Sequence, residues 1–400
     1  MLTSLALIFL VGMGLGSVFT KLKLPSLLGM LITGVILGPY VLNLIDGSIL
    51  TISTDLRQLA LVIILTRAGL SLNLNDLKRV GRSAVFMCFV PACFEILGMV
   101  LIAPKLMGIS ALEAAIMGTV VAAVSPAVVV PRMLKLMEKG YGTDKSIPQL
   151  IMAGASVDDV FVIVLFTSFT SLANEGSFSP LRIVEIPVSI AFGVIVGVLF
   201  GWLLSSFFQK VHIRDSAKVV ILLSSAFLLV ALEHRLKHIV PFSGLLAVMA
   251  IGIATLRFYP VLAERLSAKF SKLWVAAEIL LFVLVGATVD IGYAVSAGAK
   301  AAILLVLVLL FRMVGVLACL VRTKLNRKER LFCMVAYIPK ATVQAAIGGI
   351  PLAMGLACGN LVLTVAVLSI LITAPLGAFG VDLLYKKCLS KENMQSVKDI

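Results

Sequence analysis

Apolar runs of bilayer-crossing length alternate with short polar connectors along nearly the whole chain. A transmembrane helix takes about 20 consecutive apolar residues. Such runs cover 2–20, 25–45, 56–73, 84–103, 111–131, 147–172, 186–207, 218–233, 239–256, 275–296, 301–321, 331–354 and 360–385. The pattern predicts an all-α polytopic membrane protein with about 13 transmembrane helices. The longest connectors, 132–146 and 257–274, are too short to hold a core of their own, so residues 1–400 read as a single integral membrane unit. No small-residue cleavage site follows the first run, which therefore reads as a membrane helix rather than a signal peptide.

Composition agrees with this pattern: 60% of residues are hydrophobic, 14% are charged, and the mean hydropathy is +1.12. The net charge of +14 does not point to nucleic acid, because the basic residues are spread over short connectors. Their distribution carries other information. With the N-terminus outside, 25 of the 34 Lys and Arg residues fall on cytoplasmic segments, six on outer segments and three (Arg67, Arg312, Lys340) inside runs. That asymmetry sets the expected orientation, N-terminus out and C-terminus in, across a lipid bilayer. The short polar tail after Tyr385 suggests a prokaryotic inner-membrane protein without a regulatory domain. The six cysteines show no metal-binding spacing and read as small buried hydrophobes. No cofactor motif is present, and no cofactor is expected.

Against this apolar background, five ionisable residues lie well inside runs: Glu95, Asp158, Asp159, Arg312 and Lys340. An acid at the bilayer centre costs roughly 2.5–3.5 kcal/mol. The simplest account is that such groups pair to lock helices together. Asp158 and Asp159 resist it, because adjacent helical residues point about 100° apart and do not readily share one partner. One of them must face water, an ion or a different partner. A carboxylate is a hard oxygen ligand for a small cation, and it also takes up a proton. A group that does one or the other, never both, couples the two ions by competition.

Two runs are interrupted. VVAAVSPAVVVP (120–131) carries Pro126 and Pro131, and YIPKATVQAAIGGIPL (337–352) carries Pro339, Gly348, Gly349 and Pro351. Proline removes a backbone donor, and unpaired carbonyls at membrane depth are tolerated where they are buried in protein or line a cavity. The interrupted runs are the fifth and twelfth, and an offset of seven inverts topology, as an inverted repeat requires. Glu95 and Arg312 stand 217 residues apart and Pro126 and Pro339 213 apart, so the offsets match closely. The side-chain oxygens of Ser125, Thr342 and Gln344 are candidates to join freed carbonyls around an ion. Lys340 has three possible roles: neutralising the helix ends, pairing with an aspartate, or competing with a cation.

The segments in order resemble the monovalent cation:proton antiporter superfamily, most closely its NHA-type sodium/proton branch. LPSLLGMLITGVILGP (around 25–39), AVSPAVVVP (123–131), ASVDDV (155–160), IPKATVQAAIG (338–348) and LSILITAPLG (368–377) carry the resemblance. It implies the sodium/proton antiporter fold, with inverted repeats around two crossed, unwound helices. Core helices would cover approximately 84–172 and 301–385, and dimerisation or scaffold helices approximately 1–73 and 186–296. It implies a homodimer, Asp159 as the main carboxylate for Na+ or Li+ and for H+ with Asp158 beside it, and a structural Glu95–Arg312 ion pair. In electrogenic members a lysine holds the position of Arg312. An arginine stays protonated and cannot serve as a second proton carrier, so the stoichiometry stays open, with Lys340 as the alternative residue for that role.

The expected function is secondary Na+ (or Li+)/H+ antiport without covalent chemistry. A K+/H+ antiporter is the near alternative. A sodium-coupled organic-anion transporter of similar architecture is the more distant one, and the aspartate pair argues against it. No nucleophile motif or selectivity-filter repeat supports an enzyme or a channel.

Overall fold

The computed structural model describes residues 1–71, 81–174, 180–236 and 242–391. Lys78, Arg79, Lys237 and Lys398, which entered the charge asymmetry, lie outside the described residues. In chain order the helices are α1 Leu2–Lys21, α2 Ser26–Leu37, α3 Gly47–Thr51, α4 Ser53–Ser71, α5 Arg82–Met87, α6 Val90–Met107, α7 Ala111–Ala122, α8 Pro126–Glu138, α9 Ile147–Asn174, α10 Pro180–Lys210, α11 Asp215–Leu236, α12 Gly244–Phe258, α13 Pro260–Ala287, α14 Ile291–Leu320, α15 Arg327–Ala336, α16 Thr342–Ile347, α17 Ile350–Ala353 and α18 Gly359–Cys388. Among the described residues, nine helical stretches are long and apolar enough to cross a membrane, and α2, α12 and the Thr342–Ala353 stretch are shorter apolar helices. The protein is therefore a multi-pass membrane protein.

Helix boundaries follow local chemistry. Pro91 stands at the start of α6, and the chain breaks between α5 and α6. Ser110 and Glu113 close a capping box at the start of α7, and Asn326 with Glu329 closes one at the start of α15. Asp290 accepts from the Tyr293 amide and opens α14.

That cap corrects one expectation. The run at 275–296 is not one span: α13 ends at Ala287, and residues 291–296 belong to α14. At its other end α13 begins at Pro260, inside the expected connector. Leu262, Leu266, Phe270 and Trp274 are buried there, while Glu264, Arg265, Lys269 and Lys272 lie on its more exposed face. Arg57, counted among the outer segments although it falls at the edge of the 56–73 run, lies inside a helix. Helix α4 starts early enough to bury it to 3% exposure, and its Nε donates to the Ser53 carbonyl.

The helices pack in two groups. One holds α1, α2, α4 and α10–α13, and the other holds α5–α9 and α14–α18; α4 and α13 against α16, and α9 against α10 and α12, join them. In the first group α2 crosses α13 at two glycines. A Cβ on Gly34 would lie 1.9 Å from the Val283 carbonyl oxygen, and one on Gly286 would lie 2.1 Å from that of Leu31. Only glycine allows backbones that close. The second group contains both interrupted helices and all five ionisable residues singled out above.

Candidate functional site

The two interruptions meet. Helix α7 stops at Ala122 and α8 starts at Pro126, while α15 stops at Ala336 and α16 starts at Thr342. Across the gap the Ser125 amide donates to the Pro339 carbonyl at 2.8 Å, so each broken strand of backbone satisfies part of the other.

The remaining freed groups can be followed one by one. Pro126 has no N–H to offer the Ala122 carbonyl four residues earlier, and Arg312 Nη1 donates to that carbonyl instead. Lys340 Nζ donates to the Val121 carbonyl at 2.7 Å. Gln344 Nε2 donates to the carbonyls of Val121 at 3.1 Å and Ala123 at 2.9 Å. The Val124 amide donates to Asp158 Oδ2 at 2.9 Å, and Arg312 Nε donates to the Tyr337 carbonyl at 2.9 Å. The Lys340 amide donates to Thr373 Oγ1 at 3.0 Å. Cationic and amide donors thus cap the negative C-terminal end of α7.

The charges are arranged with equal economy. Glu95, Asp158, Arg312 and Lys340 are at most 1% exposed. Arg312 reaches Glu95 Oε2 through Nη1 at 2.7 Å and Asp158 Oδ2 through Nη2 at 2.9 Å. Lys340 Nζ lies 2.7 Å from Glu95 Oε1. Two acids and two bases therefore close on one another: Glu95 Oε2 accepts from both Arg312 Nη1 and Lys340 Nζ, and Oε1 lies within ion-pair distance of Lys340 Nζ without a hydrogen bond of its own. Asp159 is the fifth charge. It is half-buried, its Oδ1 is enclosed, and it makes no hydrogen bond or ion pair among the described residues. Ser125 Oγ, Thr342 Oγ1, Gln344 Oε1 and Asp158 Oδ1 are also buried without a hydrogen-bond partner. Among the described residues, no group of three or more His, Cys, Asp or Glu side chains forms a resident metal site.

Every candidate residue from the sequence lies in this one neighbourhood, but some roles differ from those expected. Lys340 pairs with Glu95 rather than with an aspartate. Gln344 meets the freed carbonyls with its nitrogen, since a carbonyl can only accept, and its oxygen is left over. Arg312 serves Asp158 as well as Glu95. Sequence reasoning passed over Tyr337 and Thr373, although Tyr337 directly precedes the Ile-Pro step where α15 must stop. It also passed over Glu278, half-buried on α13, which interacts electrostatically with Arg67 of α4.

Two broken helices crossing at a carboxylate-bearing third helix define a secondary transporter. The chain belongs to the sodium/hydrogen exchanger family: the family model for the transmembrane region of sodium/hydrogen exchangers matches residues 5–387. It is 34% identical to mouse Sodium/hydrogen exchanger 9B2 over 394 residues, 94% of this chain and 71% of that protein. It is 31% identical to human Sodium/hydrogen exchanger 9B1 over 385 residues, 92% of this chain and 73% of that one. The fold matches that of the sodium proton antiporter MjNhaP1 from Methanocaldococcus jannaschii at pH 8, with a TM-score of 0.83 and 19% identity over 96% of this chain and 97% of the other. The protein is thus a cation/proton antiporter, and no enzyme.

Proposed function

We propose that the protein exchanges Na+ or Li+ for H+, one for one, with Asp159 as the exchanging carboxylate. The observation that carries this reading is the charge count: Glu95 and Asp158 are matched by Arg312 and Lys340, and Asp159 alone is unmatched. An unmatched carboxylate at membrane depth requires either one monovalent cation or one proton. The two are mutually exclusive on one carboxylate, and that exclusion is the coupling. The unpartnered oxygens of Ser125, Thr342, Gln344 and Asp158 supply the hard neutral and anionic ligands that a small dehydrated cation prefers. Arg312 holds its proton throughout, so a cycle gains no second titrating site there and moves no net charge.

In this reading α5–α9 with α14–α18 form the body that carries the ion, and α1, α2, α4 and α10–α13 form the scaffold it moves against, paired with a second copy. The N-terminus faces outward and the C-terminus faces the cytoplasm, across the cell (inner) membrane. The test is proton efflux from acid-loaded proteoliposomes on addition of Na+, Li+, K+ or choline. Efflux driven by Na+ or Li+ and lost in Asp159→Asn is the expected result. Efflux with K+ alone would change the substrate, and none with any cation in folded protein would refute the reading.

A further inference from the structure

The hydroxyl of Tyr337 takes part in none of the bonds that close the site. The rest of the residue is fully engaged: its carbonyl accepts from Arg312 Nε, and the Arg312 guanidinium lies 5.5 Å from its ring centroid. The side chain is 0% exposed, and the phenol oxygen has no hydrogen-bond partner. A phenylalanine would give the same stacking without a buried unpaired polar group, which is destabilising. The hydroxyl therefore needs a use.

Its surroundings suggest one. The phenol oxygen presses against the backbone of α9 at Gly154, where a Cβ would lie 1.8 Å away. Gly154 is four residues before Asp158, so both lie on one face of α9, about 6 Å apart along its axis. Asp158 has a second buried orphan, Oδ1. The hydroxyl packs one helical turn from the residue that carries the second orphan oxygen, and a single bridging water spans roughly 5.5 Å between its two partners.

Resting on the antiport reading above, we propose that Tyr337 is a proton-positioning residue, whose hydroxyl and Asp158 Oδ1 together hold the water that delivers the proton to Asp159. The transfer balances. The held water takes one proton from the aqueous phase as it gives one to the Asp159 carboxylate, and the phenol, which only holds the water by hydrogen bonds, keeps its own proton throughout. The cation, when bound, takes Asp158 Oδ1 but not the Tyr337 hydroxyl, so deleting the hydroxyl separates the two limbs of the cycle.

Tyr337→Phe keeps the ring under Arg312 and the backbone carbonyl, and deletes only the hydroxyl. In proteoliposomes two rates are compared: Na+-driven proton efflux, and exchange of 22Na+ for unlabelled Na+, which moves no proton. Proton-coupled exchange is expected to fall about tenfold or more, with Na+/Na+ exchange within about twofold of wild type. Equal losses in both would mean a structural role and overturn the proposal, as would no loss in either. A second measurement checks the contact itself. Gly154→Ala is expected to lower thermal stability, and the double variant Gly154→Ala/Tyr337→Phe to recover it. Failure of the double variant to recover would place the hydroxyl elsewhere and also overturn the proposal. Wild-type protein that moves no proton with any cation would instead sink the antiport reading, a distinct result.

Discussion

The same chemical change at two adjacent residues is expected to have opposite consequences. Asp158→Asn removes a charge that Arg312 Nη2 contacts at 2.9 Å in a site with no solvent exposure. With the charge centres about 4 Å apart and an effective dielectric near 20, that attraction is worth about 4 kcal/mol. Breaking a buried pair by removing one partner typically costs 3–5 kcal/mol, because the other charge stays behind. The Val124 amide still finds the asparagine oxygen, so the loss comes mainly from the charge. Asp159→Asn removes a carboxylate that has no partner among the described residues, and its effect on stability is expected within about 1 kcal/mol, on the stabilising side. The assay is thermal unfolding of each purified variant in detergent, followed by size-exclusion recovery after heating, alongside the liposome assay. Asp159→Asn should be robust and inactive, and Asp158→Asn fragile as well as impaired. If Asp159→Asn unfolds as early as Asp158→Asn, then Asp159 is a paired structural residue and the charge count fails.

Other expectations follow from the same geometry. Exchange should run at the same rate with and without a membrane potential clamped by K+ and valinomycin; a rate that follows the potential would refute one-for-one stoichiometry. Gln344→Leu removes two donors from the carbonyls of Val121 and Ala123 and should cost about 1–3 kcal/mol in unfolding measurements, together with most of the transport. Glu329 is 1% exposed and holds Lys145 Nζ at 2.7 Å as well as capping α15, so Glu329→Ala should destabilise by about 3 kcal/mol where surface substitutions on α8 do not. Outside the membrane, hydrogen bonds from Ser48 and the charge of the N-terminus draw the Asp46 carboxyl down to about 2. Its support of α3 is thus fully present above the ordinary carboxylate range near 3.8 and lost as pH falls towards about 2. Hydrogen exchange at Gly47–Thr51 should therefore be flat from pH 5 to 8 after correction for intrinsic rates, and faster in Asp46→Ala.

Much of this organisation was legible in the chain. The two proline interruptions and the five intramembrane charges depend on local composition, and each lies on a helix or a helix break in the structure. What was not legible depends on direction in space. The start of α13 at Pro260 hides behind charged residues that occupy one face of an amphipathic helix. Arg57 reads as an outer charge until α4 turns it inward. Lys340 has three possible roles in sequence, none of which names Glu95, and only the crossing of α7–α8 with α15–α16 brings the two together. The nitrogen of Gln344 and the carbonyl of Tyr337 carry no sequence signal at all, because their importance arises from what faces them.

The closed set of charges also bears on how the protein is made. Glu95 precedes Arg312 by 217 residues and Asp158 precedes it by 154. At synthesis rates of 5–20 residues per second, each acid waits about 10 to 40 s before its arginine exists. During that interval the flanking side chains must hold it in the bilayer. An apolar residue returns about 0.3–0.6 kcal/mol on insertion, so six to ten of them offset one acid, roughly. The mean hydropathies of 2.4 for the Arg82–Met107 stretch and 2.0 for Ile147–Ala173 therefore serve nascent helices that carry their charges alone. A mutation that merely dilutes the leucines and valines of α6 or α9 would be felt first at the translocon, before any ion is moved.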